Sequence, residues 1–142
     1  MMIRNPDWEA DVRASFARQG MLRSFSAEIA HAAPGEVWLT APITDAVTQQ
    51  DGFAHAGLGW SIGDSAAGYA ALSLMEKGDR VLTAEMKINL MRPATGAVLL
   101  ARGRVLRAGR QLLTVASDIF AIAGETETHI ATMLGTMACV KP

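Results

Sequence analysis

Apolar residues first recur four apart, at Trp8, Val12 and Phe16, with Asp7, Glu9, Asp11, Arg13 and Arg18 on the other sides. That spacing predicts a short amphipathic helix over residues 7–18, ended by Gly20. The pattern then changes to alternation, at Phe25, Ala27 and Ile29 and again at Val37, Leu39 and Ala41. Two strands are expected, over 24–33 and 36–43, with Pro34-Gly35 as the turn of a hairpin. A polar stretch, Thr48-Gln49-Gln50-Asp51-Gly52-Phe53, leads into a proline-free run from 55 to 76 rich in alanine. Alanine favours helix, and small or apolar residues lie on most sides of this one, from Ala56 and Gly57 to Ala66 and Gly68. It is expected to be a central helix wrapped by other structure, closed by Lys77-Gly78-Asp79 in the manner of a glycine cap.

Four strand-like runs follow, over 81–91, 98–106, 112–122 and 130–140. The breaks between them, Pro93-Ala94-Thr95-Gly96, Arg107-Ala108-Gly109-Arg110 and Gly124-Glu125-Thr126-Glu127, have turn composition. The order is therefore helix, two strands, long apolar helix, four strands. One antiparallel β-sheet curling around one long central α-helix is the simplest α+β arrangement that buries such a helix in so short a chain.

Composition adds limits. At 142 residues one domain with one core is expected, spanning 1–142. A formal net charge of -1 gives no electrostatic reason to seek nucleic acid or an anionic membrane surface. The one cysteine, Cys139, excludes an intramolecular disulfide and a multi-cysteine metal site. The start, Met1-Met2-Ile3-Arg4-Asn5-Pro6, lacks a basic region followed by an apolar run, and the stretch 54–75 is broken by His55 and Asp64. Neither export nor a membrane span is expected, and the cytoplasm is the expected compartment.

Asp64 is the anomaly of the central helix. A carboxylate among apolar residues is disfavoured as the charged form, so its pKa rises. It either bonds Ser61, Ser65 or a backbone amide, or serves as a catalytic carboxylate in a poorly solvated pocket. The helix opening supplies a second part, because the amides of His55, Ala56, Gly57 and Leu58 lack intrahelical acceptors at the positive end of the dipole. Small side chains at Ala56 and Gly57 either let a carbonyl oxygen approach those amides, making an oxyanion hole, or serve only tight packing. Nine residues of helix between His55 and Asp64 correspond to about 13.5 Å and about two and a half turns, which puts the two on opposite sides. If both parts act on one carbonyl, Asp64 comes from a neighbouring subunit, and an isologous homodimer with sites across its interface follows, the pairing of dimers into a homotetramer being left open by the sequence.

The arrangement resembles the hotdog-fold acyl-CoA thioesterases of the phenylacetate-degradation (PaaI-like) type, from about Phe16 to Val140. The resemblance rests on His55-Ala56-Gly57 followed by Asp64-Ser65-Ala66-Ala67-Gly68, on Met86-Lys87-Ile88-Asn89-Leu90-Met91-Arg92-Pro93-Ala94, and on Gly103-Arg104-Val105-Leu106-Arg107-Ala108-Gly109-Arg110. It implies a hotdog fold, hydrolysis of an acyl-CoA, and no cofactor, coenzyme A being part of the substrate. By the same resemblance Asp64 is the nucleophile or general base and the amide of Ala56 or Gly57 the oxyanion donor. Gln49 stands where relatives often have an asparagine near the thioester, and Thr83 where some have a serine that orients water. The chain departs from the type in two places, reading His55-Ala56-Gly57 for His-Gly-Gly and Gln49, longer by one methylene, for asparagine.

His55, at the helix entrance, is expected to organise the loop rather than titrate. His31 and His129 lie on different strands without ligand spacing, so no metal is expected. Of the arginines Arg92, Arg102, Arg104, Arg107 and Arg110, Arg107 and Arg110 are the candidates for contacting the phosphates of coenzyme A. A medium-chain or aromatic acyl group would lie in a hydrophobic groove beside the central helix. Two alternatives stand beside the hydrolase: a homo-oligomer that binds acyl-CoA without turnover, and a hotdog hydratase, whose His and acid pair the spacing of His55 and Asp64 does not match.

Overall fold

A computed structural model describes residues 1–142. Helices α1 (Trp8–Ala17) and α2 (Gly20–Ser24) precede strands β1 (Glu28–Ala33) and β2 (Glu36–Pro42). A 3-10 turn at Asp45–Val47 leads to α3 (Ala56–Leu72), and β3 (Arg80–Leu90), β4 (Val98–Ala108), β5 (Leu112–Ala123) and β6 (Thr126–Val140) complete the chain. The six strands form one antiparallel sheet in the order β1-β2-β4-β5-β6-β3, with α3 packed on one face. This is the expected hotdog arrangement, and 28 buried residues from the helices and the sheet make one core.

Alternation puts Val37, Leu39 and Ala41 of β2 against the helix, joined by Leu99, Ala101 and Val105 of β4 and Val115 and Ile119 of β5. From α3 they receive Leu58 and Ile62, each contributing about 1.5–3 kcal/mol by leaving water. The helix sits unusually close to the sheet because Gly103 of β4 has no side chain. A Cβ there would run into the backbone of Ala66 and Ala67.

Several boundaries differ from the expectation. Gly20 does not end the N-terminal helical region but opens the short helix α2, which is too brief to show a helical period. The central helix stops at Leu72 rather than near Glu76. There the buried hydroxyl of Ser73 donates to the Ala70 carbonyl (2.6 Å) and accepts the Gly35 amide (2.8 Å), fixing the helix end against the β1–β2 turn. Strand β6 begins at Thr126 instead of 130, because the β5–β6 turn needs only Gly124 and Glu125, with Gly124 at φ +60°.

β3 is an edge strand, mostly exposed on both faces. Its pairing with β6 is interrupted by a bulge between Thr83 and Glu85. Bulges re-aim side chains, and here Thr83 lies on the helix side, opposite Met137.

The Gly103 contact sets a stability test. Gly103→Ala forces α3 off the sheet and is expected to cost about 1–3 kcal/mol or more, as overpacking does. Urea unfolding of the two proteins measures it, and an unchanged midpoint would refute the close-approach argument.

Candidate active site

His55 occupies the N-cap of α3 in extended conformation, and its Nδ1 accepts the Gly57 amide at 2.8 Å. The imidazole organises the helix entrance, as expected. A Cβ on Gly57 would stand 3.0 Å from that Nδ1, so a side chain there would push the imidazole by a few tenths of an ångström. The bond also spends the Gly57 amide. Of the two amides considered for an oxyanion, that of Ala56 at the first helical position is the one left without a protein acceptor.

Seven residues, about two turns, separate Gly57 from Asp64, so both lie on one helix face. With Ser61 and Ser65 they line a groove of about 620 Å³ whose other wall includes Met21, Leu22 and Phe25. The lining is mainly apolar, and Trp60 stands at its rim. His55 borders this groove too, which corrects the helical-wheel separation of His55 from Asp64. As the cap it lies outside the helix, and its ring folds back over Gly57.

Asp64 is half-buried, and its Oδ1 accepts a 2.7 Å hydrogen bond from the Thr83 hydroxyl. The bland partners Ser61, Ser65 or a backbone amide are not the ones it uses. Burial pushes its carboxyl above the ordinary carboxylate value, and the Thr83 bond opposes that rise without cancelling it. A base poised in this way is held closer to neutral pH than a free aspartate.

Gln49 takes another position. Its Oε1 accepts the amides of Asp51 (2.5 Å) and Phe53 (3.3 Å), closing the turn before α3. With Ala56 and His55 it lines a second cavity of about 500 Å³, bounded by Leu90, Met91 and Arg92 at the end of β3. One chain thus brings Asp64 to Thr83, and Ala56 to Gln49, in separate cavities.

Among the arginines, Arg102 pairs with Glu127 and lies over the rings of Trp38 and Phe120, Arg104 pairs with Asp118, and Arg92 donates to the His129 carbonyl. Arg107, which lies in the last residues of β4 rather than in the expected turn, and Arg110, in the β4–β5 turn, are exposed and have no carboxylate partner; Arg107 borders a cavity with Met1 and Arg4, apart from Asp64. His31 packs at a tilt against Trp38, and His129 stacks on Phe120. No group of three His, Cys, Asp or Glu side chains is placed to hold a metal ion, and no helix is long and apolar enough to cross a membrane.

Sequence reading missed Gln19, Ser15 and Tyr69, which approach Asp64 from the N-terminal helices and the next turn of α3. Nothing local in the sequence marks Gln19, 45 residues before Asp64. Ser61 and Ser65, expected as small residues of the helix or partners of the acid, form groove wall through the Gly57-Ser61-Ser65 period.

Residues 51–128 match the family model described as the thioesterase superfamily. The chain is similar to a thioesterase family protein from Silicibacter pomeroyi, with 41% identity, TM-score 0.93, and 95% of this chain and 99% of that one covered. It is also similar to a mutant thioesterase enzyme from Staphylococcus aureus, at 26% identity, TM-score 0.80, and coverage of 87% and 100%. The PaaI protein of the E. coli phenylacetic acid degradation operon shares the fold, at 18% identity, TM-score 0.85, and coverage of 96% of each chain. No curated protein matches the sequence.

The raised pKa of Asp64 gives a signed prediction. A carboxyl raised in the folded state favours folding below its unfolded pKa and loses that contribution as pH rises through the folded value. Asp64→Asn is therefore expected to melt higher than wild type near neutral pH, with the gap closing as pH falls into the carboxylate range. Thermal unfolding across pH checks it; a gap that does not vary with pH contradicts a buried, ionised Asp64.

Proposed function

Because the chain belongs to the thioesterase superfamily, we propose that it hydrolyses acyl-CoA thioesters as a homodimer, with Asp64 as nucleophile or general base. The observation that carries this reading is Asp64 itself, a half-buried carboxylate oriented by Thr83 at the head of an apolar groove. The groove walls Met21, Leu22, Phe25 and Trp60 suit a medium-chain or aromatic acyl group. The free amide of Ala56 is the donor to the carbonyl oxygen, at the positive end of α3. Whether Asp64 attacks directly or deprotonates water, the products are the free acid and coenzyme A. Arg107 and Arg110, free of carboxylates, are offered to its phosphates, and no cofactor or metal takes part. Cys139 as the one thiol fits a reducing compartment, the cytoplasm.

The dimer follows from β3. An open, 11-residue edge strand with Leu82, Leu90 and Met91 exposed at or near it is an invitation to pairing. Antiparallel pairing of β3 with its copy about a two-fold axis sets the start of one strand opposite the end of the other. Thr83 and Asp64 are near the start, while Leu90–Arg92 and the Ala56 cavity are near the end. One chain's acid then meets the other chain's oxyanion amide, which single chains hold in separate cavities.

The test is release of free thiol from short, medium, long and aromatic acyl-CoAs. Wild type is expected to cleave at least one of them, and Asp64→Asn and Asp64→Ala to lose at least about a hundredfold in kcat while staying folded, the scale of a lost acid or base. Binding without release would make the protein an acyl-CoA carrier instead.

The shared site has its own test. Ala56→Pro removes one amide where proline is tolerated in a helix, so this variant and Asp64→Asn should each be inactive alone. Mixed by refolding, half the dimers carry one of each, and about a quarter of wild-type activity should return. No recovery would place the whole site within one chain.

A further inference from the structure

Asp64 also borders a smaller cavity of about 200 Å³ that adjoins the apolar groove. Its lining is rich in polar groups: Ser15, Gln19, Ser65, Tyr69 and Thr83. That is room for several waters at about 30 Å³ each. Gln19, Asp64 and Ser65 line both spaces, so Gln19 is the one residue from outside α3 at their junction.

Gln19 is held there by unusual means. It stands at the N-cap of α2, yet its side chain makes no capping bond. Instead one end of its amide donates to the Tyr69 hydroxyl at 2.7 Å. Tyr69 is 3% exposed, its ring meets Phe16 edge-on, and its hydroxyl lies 3.3 Å from Ser15 Oγ. The other end of the Gln19 amide has no protein partner. Asp64 is similarly half-spent, since Oδ1 is taken by Thr83 and Oδ2 is not.

We propose that the small cavity holds the water that hydrolyses the thioester, and that Gln19, braced by Tyr69, is a positioning residue for it; this rests on the thioesterase reading above. The water donates one hydrogen to Asp64 Oδ2 and the other to the Gln19 amide oxygen, which turns a lone pair toward a carbonyl carbon in the groove. As the oxygen–carbon bond forms, the first proton passes to Asp64. As the carbon–sulfur bond breaks, Asp64 returns that proton to the departing thiolate. Water and acyl group then occupy adjoining spaces at the carboxylate, so a bound acyl chain in the groove leaves room for the nucleophile.

Two substitutions probe the brace without touching Asp64. Gln19→Leu removes the amide, and Tyr69→Phe removes the hydroxyl while keeping the ring against Phe16. Each is expected to lower kcat about ten- to hundredfold with KM within about twofold, as loss of orientation does. The double variant should lose no more than the worse single one, because both act through one water. Unchanged kcat, losses that multiply, or a fall confined to KM overturns the proposal.

A crystal structure decides the water site without turnover. Wild type is expected to show an ordered water within hydrogen-bonding reach of both Gln19 and Asp64, absent in Gln19→Leu. If that water is missing, the inference fails even for an active enzyme. A wild type that cleaves no thioester fails the thioesterase reading instead, and the crystal still settles whether Gln19 holds water at Asp64.

Discussion

The contact of α3 with β4 at Gly103 is the constraint on which the other features depend. With no side chain on that residue, the helix backbone at Ala66 and Ala67 rests on the strand. Leu58 and Ile62 then sink fully into the sheet, and the small residues of the helix are small because little space remains. The same contact turns the face bearing Gly57, Ser61 and Ser65 outward and leaves Asp64, two residues before Ala66, only half covered. Had the helix stood further off, the carboxylate would be hydrated and ordinary. Held closer in, without Thr83, it would have no partner to orient it.

Three aspartates show what this placement does. Asp118 is also desolvated, but the Thr132 hydroxyl, the Arg104 guanidinium and the nearby His129 outweigh that, and its pKa falls. Asp79 is pulled down in the same way against its burial, by Lys141, Cys139 and the Glu76 amide. Asp64 has no cation and a single hydroxyl donor, so burial wins and its pKa rises. The first two carboxylates lock the sheet and the chain end. In the third, burial of the charge costs folding stability, with no cation to offset it.

Much of this was legible along the chain, and what was not has physical reasons. Alternation at Val37-Leu39-Ala41 and the all-round apolar character of residues 56–72 report burial directly, so the sheet, the central helix and the oddity of Asp64 could all be read. Thr83 could be named only through family resemblance. Its approach to Asp64 depends on a bulge in β3, and bulges leave no periodic trace. Gln19 was invisible because its role is set by where α1 and α2 cross α3, a matter of tertiary packing. The separation of His55 from Asp64 was misjudged for a simpler reason: wheel geometry was applied to a residue that caps the helix and does not belong to it.

Edge strands are normally blunted by charge, proline or bulges, and β3 does carry a bulge together with Lys87 and Glu85. The bulge at Thr83, however, serves the acid as well as the edge. A strand that orients the carboxylate and, in the proposed dimer, also pairs with a second copy would tie the site to assembly, because Asp64 and the Ala56 amide lie in separate cavities of one chain. Dilution below the dimer's dissociation constant would then remove the proposed oxyanion donor from Asp64. In the proposed dimer, hydrolysis and assembly would be coupled through this one strand.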